Sequence, residues 1–423
     1  MVGILVVLSL AKIVPLNISI FIAKRIAFNK QQSFSRFIIR LSVTATALSV
    51  AAMIITLAFV NGFQQTVAQK VFSFWGHIRV QHYSINKSLV SEETPIGRNF
   101  AIENSLKNNP LIKQVQVFAT KSAVIEKDKN IEGILLKGIS AEYDSSTLHQ
   151  FIQQGRWLNF TDSLYSREII ISATAAQELS IHLNDTIRVF FVSPKEGTSA
   201  YRPVKVVGIY KTGIEEYDKL FAIGDIRLIR RLSDWKDDEI GGYEVFVKDY
   251  ATMTQVNETL DLPTIWGSKT IQEVYPNIFD WLNIQNVNRN VMFVVMTIVA
   301  IINLITCLLI LVLERIRMVG ILQAVGCNNQ IIEKIFLYHA SIITLAGIAF
   351  GLLLGVGICL LQYYTGFITL DESNYYVSVA PVKIIWWQVI LVCISTSIVC
   401  FFALTLPALL VRKIKPVKAI QFR

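Results

Sequence analysis

The five histidines of this 423-residue chain, His77, His82, His149, His182 and His339, are scattered along it. No His-Glu-x-x-His or Cys-x-x-Cys spacing gathers metal ligands, and the histidines read as ordinary surface or packing residues. No Gly-x-x-x-x-Gly-Lys-Ser/Thr phosphate loop occurs, so the chain does not hold ATP by that route and must draw energy from another subunit. No triad or carboxylate pair can be singled out, which leaves a membrane-bound hydrolase as the least supported reading. Catalytic residues, metal and cofactor are all expected to be absent, and the chain reads as a non-enzyme. Four of the five cysteines, Cys307, Cys359, Cys393 and Cys400, lie in apolar stretches and Cys327 lies in a turn between two of them. The long polar segment 64–285 has none, so disulfides do not hold it.

The residues whose spacing carries information are apolar. Met318, Ile321, Leu322 and Val325 fall at i, i+3, i+4 and i+7, one face of a short amphipathic helix that Gly326 ends. Such a helix fits a partner's groove or lies on a lipid surface. Gly347, Gly351 and Gly355 stack four apart on one helix face, as small residues do where membrane helices approach closely. Their partner is either another helix of this chain or a second subunit. Asn303 sits in the middle of an apolar stretch and needs a partner, most simply an interhelical hydrogen bond. Phe59 and Phe63 at one apolar boundary, and Arg289, Val291 and Met292 at the next, would hold acyl chains and meet a headgroup or backbone. They equally suit boundary anchors and a snorkelling arginine.

Four apolar stretches position these residues: 41–63, 286–313, 335–362 and 384–411. Each reaches the roughly 20 residues an α-helix needs to cross a hydrocarbon core. Segment 1–40 is basic, and within it residues 18–30 read as an interfacial amphipathic helix. Residues 2–10 are apolar but too short to span, and read as an interfacial segment or sequence upstream of the true start. The turn 314–334 is net positive and the tail 412–423 is basic without an acid. Short basic flanks stay in the cytoplasm, so both termini and the turn are expected inside, with 64–285 and the loop 363–383 outside. Segment 64–285 holds 24 Lys and Arg against 27 Asp and Glu. The net charge of +9 therefore comes from the inner flanks and does not call for nucleic acid.

Segment 64–285 is expected to be mixed α and β. Strand-like runs are 77–81, 115–125, 132–136, 168–171, 186–192, 204–209 and 243–247, with helix-like 102–108, 173–179 and 253–259. Its two ends, 64–137 and 241–285, form one lobe, and 138–240 is a β-rich lobe inserted between them. The expected fold class is an α-helical membrane protein with four transmembrane helices plus a large mixed α/β extracytoplasmic domain.

The order of one span, a large domain and three spans resembles the permease subunits of the lipoprotein-releasing ABC transporter, LolC and LolE, within the FtsX/MacB-like superfamily. Phe21-Ile-Ala-Lys-Arg25, Asn61-Gly62-Phe63, Gly76-His77, Gly320-Ile-Leu-Gln-Ala-Val-Gly326 and Tyr376-Val-Ser-Val-Ala-Pro381 carry the resemblance. It implies a porter lobe with an inserted sabre lobe. It also implies a coupling helix seated in a separate cytoplasmic ABC ATPase, which binds the ATP, through Arg317, Met318, Ile321, Leu322, Val325 and Gly326. A second permease subunit, a homodimer mate or a paralogue, is implied as well. The cargo would be a lipoprotein held near Phe59, Phe63, Arg289, Val291 and Met292, handed on for outer-membrane sorting, with the chain multi-pass in a bacterial inner membrane. In the family an acid often stands at Met318 and an arginine at Gln323. The loop 193–203, where LolC carries a hook for the periplasmic chaperone LolA, is shorter here. The alternative reading is FtsX/MacB-like mechanotransmission to a wall hydrolase or an efflux partner.

Overall fold

The computed structural model describes residues 33–83, 92–128, 130–161, 164–192 and 199–410. The stretch 18–30 and the tail 412–423 lie outside them. The chain divides into two compact units. Of the described residues, one gathers 33–63, Ile284–Phe367 and 381–410; the other gathers those within Gln64–Asn283 and Ile368–Ala380.

The helices of the first unit are α1 (Ser33–Trp75), α2 (Pro276–Glu314), a short α3 (Ile316–Ala324), α4 (Asn329–Thr365) and α5 (Trp386–Leu410), except that 64–75 of α1 and 276–283 of α2 belong to the second. All but α3 are long and apolar enough to cross a membrane. α1 has 43 residues, about 65 Å of helix at 1.5 Å per residue, against roughly 30 Å of hydrocarbon. It runs past its apolar stretch because Gln64, Gln65 and Thr66 are polar without being breakers. It stops at Gly76, whose φ of +70° lets its N–H reach the Phe72 carbonyl at 2.8 Å. α2 starts on Pro276, a residue tolerated in a first helical turn.

Within this unit the three glycines of α4 pack on α1. A Cβ at Gly347 would lie 2.7 Å from Thr46 Cβ, one at Gly351 2.7 Å from the Ala47 carbonyl oxygen, and one at Gly355 3.1 Å from Ala51 Cα. The small-residue face is therefore used inside the chain. Asn303 donates to the Ser42 carbonyl at 3.2 Å, an interhelical bond. Asn61 bonds Gln388 at 2.6 Å, and the Lys383 N–H donates to the Ala58 carbonyl at 2.9 Å.

The second unit is built on a ten-stranded sheet. Its strands are β1 (Ile78–His82), β2 (Ile112–Lys127), β3 (Asn130–Ile139), β4 (Ile152–Gly155), β5 (Glu168–Ser172), β6 (Thr186–Val192), β7 (Ser199–Tyr210), β8 (Phe221–Asp225), β9 (Gly242–Val247) and β10 (Trp266–Thr270). They lie in the order β10-β1-β9-β2-β3-β8-β5-β7-β4, with β6 pairing β2 and β7. β3–β8 and β5–β7 are parallel and the other pairs antiparallel. The first part of β2 pairs β9 and its last part pairs β6. One long strand thus joins the strands of the chain's two ends to those of the inserted segment. Residues 199–203 are strand, paired with Arg188–Val192, so less of 193–203 is loop than its composition suggests. Its remainder, 193–198, lies outside the described residues.

The end of α1 is buried in this unit. Phe74 and Trp75 are inaccessible, and the Lys137 ammonium donates to the Phe74 carbonyl. A cation there meets the partial negative charge of a helix C-terminus. Burial pushes the Lys137 pKa down, and Glu244 opposes the shift.

Candidate functional site

α3 lies between α2 and α4 because Arg315 leaves helical geometry and Gly326 closes the other end. Gly326 has φ +87°. Its N–H reaches the Gln323 carbonyl at 3.0 Å, and the Cys327 N–H reaches that of Leu322 at 2.9 Å, a Schellman stop. Val319 and Gly320 are buried. Met318 and Leu322 pack half-buried against an apolar cluster that includes Leu308, Val312, Ile332 and Phe336. Ile321 is 59% exposed and Val325 82%, and Arg317 is exposed. The four-residue stripe drawn from periodicity is thus split. The pair 318/322 holds α3 to its own unit, while 321/325, the adjacent i, i+4 row, stays open. Sequence periodicity finds the stripe but not the edge of the contact that divides it.

The residues expected to meet cargo differ in exposure. Phe59 and Phe63 are half-buried, as is Arg289, whose Nε–H reaches the Asn290 side-chain oxygen at 3.5 Å. Val291 is 56% exposed and Met292 38%. Phe293 and Met296 instead pack on the cluster formed by Val50, Met53, Ile54 and Leu57 of α1 with residues of α4 and α5. Phe293 is thus the inward residue of its stretch. Val291 belongs to an exposed row down α2, Val287, Val291, Val294, Ile298 and Ile302. The apolar window of α2 is 28% buried, that of α1 56%, so α2 offers the more open face.

Residues 41–261 match the model of the MacB-like periplasmic core domain, and residues 290–416 that of the FtsX-like permease C-terminal domain. The chain is 23% identical to the lipoprotein-releasing system transmembrane protein LolE of Haemophilus influenzae, over 96% of this chain and 100% of that one. It is 26% identical to LolC of the same organism, over 80% and 83%. Among solved structures, the periplasmic region of MacB from Actinobacillus actinomycetemcomitans is 15% identical over 48% of this chain and 91% of that one, with a TM-score of 0.33.

Proposed function

This chain belongs to the MacB-like periplasmic core domain family and carries an FtsX-like permease C-terminal domain, and from that premise we propose that it is the permease subunit of an ABC transporter that extracts lipoproteins from the outer leaflet of a bacterial inner membrane. The observation that carries the reading is the length of α1 and α2. Their membrane-type helices have 39 residues each, about 58 Å, nearly twice the roughly 30 Å hydrocarbon thickness. Each is one unbroken helix, a single hydrogen-bonded rod along which a tilt applied at one end is carried.

In this reading both termini and α3 are cytoplasmic and the sheet unit is outside. Ile321, Val325, Arg317 and Gly326 meet a separate ATPase subunit, with Met318 and Leu322 keeping α3 seated. ATP binding closes the ATPase pair and moves α3. The ends of α1 and α2 shift, and a lipid-anchored protein near Phe59, Phe63, Arg289, Val291 and Met292 is expelled outward and handed on for outer-membrane sorting, with or without a chaperone at the β6–β7 hairpin. The open row on α2 suits the cargo chains or a second permease subunit. Two discrete states with different contacts are required. The permease itself makes and breaks no covalent bond.

The test is reconstitution of the chain with its ATPase in proteoliposomes containing a fluorescent, diacylglyceryl-anchored protein. ATP-dependent appearance of that protein in the soluble fraction supports the reading. ATP hydrolysis with no release, together with activation of a wall hydrolase, would replace it with mechanotransmission.

A further inference from the structure

Residues 368–380, the connection between α4 and α5, fold with the sheet unit and not with the helices that flank them. The segment closes on itself. Thr369 bridges Val379, the Leu370 N–H donates to the Ser378 carbonyl at 2.9 Å, and the Ala380 N–H donates to that of Ile368 at 3.0 Å. Its tip is a helical turn, Glu372–Tyr375, followed by Tyr376 at φ +60°, a left-handed conformation that costs a bulky residue energy and needs support from its surroundings.

That support comes from both long helices. Lys70, on α1, donates to the Tyr376 carbonyl at 2.7 Å and lies 4.0 Å from Glu372 Oε1. Trp281, on α2, meets the Tyr376 ring edge-on with centroids 5.8 Å apart. Glu372 also pairs with Lys211 at the end of β7. Lys211 is presented by a turn tied down by Asp218. That carboxylate accepts from the Thr212 N–H at 2.9 Å, the Thr212 hydroxyl at 2.8 Å and the Gly213 N–H at 2.9 Å. Gly213, at φ +75°, leaves the room: a Cβ there would lie 2.8 Å from Lys70 Nζ and closer still to Glu372. Burial raises the Asp218 pKa. Two ammonium groups from distant parts of the chain, those of Lys70 and Lys211, converge on one carboxylate.

We infer that residues 368–380 are a clasp across the parts of α1 and α2 that extend into the sheet unit, and that Glu372, held between Lys70 and Lys211, is the positioning residue that keeps it closed. The clasp makes the α4–α5 connection move with both rods, so that motion delivered at the membrane helices reaches their ends as one displacement. The inference rests on the transport reading above.

The experiment uses the full permease with its ATPase in proteoliposomes holding the diacylglyceryl-anchored fluorescent protein, and compares wild type with Glu372→Gln and Glu372→Asp. Spin labels at Gln69 and Ser378 report the clasp directly. For Glu372→Gln the expected result is a broadened label distance and roughly threefold less protein released per ATP hydrolysed, the size of effect a partly exposed ion pair gives. The ATPase rate stays unchanged, and Glu372→Asp, which keeps the charge, recovers both readouts. Wild-type release per ATP in Glu372→Gln overturns the inference, whether or not the distance broadens. Absence of release from wild type itself, with broadening in Glu372→Gln, sinks the transport reading and leaves the clasp standing.

Discussion

Lys137 Nζ lies 2.6 Å from Glu244 Oε1, and neither side chain is reachable by solvent. The pair joins β3 to β9 across the end of α1, and the Tyr143 hydroxyl donates to the other Glu244 oxygen at 2.9 Å. Lys137 also stands 4.5 Å from the centre of the Trp75 ring. A cation is thereby fixed by a carboxylate, a helix-terminal carbonyl and aromatic faces.

Removing one partner of such a pair strands a buried charge. Lys137→Met should destabilise the sheet unit by about 3–5 kcal/mol, and Lys137→Met with Glu244→Leu by distinctly less. Thermal unfolding of the detergent-purified chain checks this. A loss in the double variant equal to the sum of the Lys137→Met and Glu244→Leu losses would show that the charges are not interdependent.

The glycine face of α4 makes a second prediction. A side chain at Gly351 meets the Ala47 carbonyl oxygen and, at 2.8 Å, Val50 Cβ. Gly351→Leu should therefore cost about 1–3 kcal/mol by forcing α4 from α1. Gly357 has nothing within 4 Å of its would-be Cβ, so Gly357→Ala should be neutral or stabilise by under about 1 kcal/mol. The two melting temperatures, measured side by side, separate a packing face from a general intolerance of larger residues.

The four spans are legible in the sequence because hydropathy is local: each apolar run reports its own environment. β1, β2, β3, β5, β6, β7 and β9 are legible for the same reason, being β-branched and buried on at least one face. β10 reads Trp-Gly-Ser-Lys-Thr and sits at the sheet's edge, where half its surroundings impose no apolar pattern. β8 reads Phe-Ala-Ile-Gly-Asp, with alanine, glycine and aspartate where β-branched residues would mark a strand. The reach of α1 past its apolar stretch and the placing of residues 368–380 depend on contacts such as Lys70 with Tyr376, 306 positions apart, which no local pattern encodes. The α3 stripe lies between these cases. Its period is written in the sequence, but only its neighbours decide which half turns inward.

His77 makes the sheet unit sensitive to acid. Burial, with Lys113 adding to it, depresses the imidazole pKa from 6.5 to about 4. The ring stacks on Phe72 with centroids 4.2 Å apart, and its Nδ1 accepts from the Val247 N–H at 3.3 Å. Between those two pKa values the unfolded chain binds the proton and the folded chain does not. The contribution is complete above about pH 6.5 and is lost as pH falls toward 4, with a slope of at most about 1.4 kcal/mol per pH unit. His77→Phe, which keeps a ring against Phe72, should flatten the melting-temperature profile between pH 6.5 and 4. An unchanged slope would assign the acid sensitivity to other groups.

The split face of α3 separates two substitutions that periodicity treats alike. Ile321 is open, so Ile321→Asp should leave the permease monodisperse and weaken its hold on the ATPase subunit by roughly 30-fold, the cost of losing one interface hot spot of about 2 kcal/mol. Met318 packs on the membrane unit's own core. Met318→Asp should instead lower the yield and melting temperature of the permease by itself, because a carboxylate there is half-buried with no partner designed for it. Copurification of the ATPase and size-exclusion profiles of the permease alone read the two effects independently. ATPase retention in Ile321→Asp equal to wild type would mean that the exposed row of α3 lies on lipid and that the subunit contact is elsewhere.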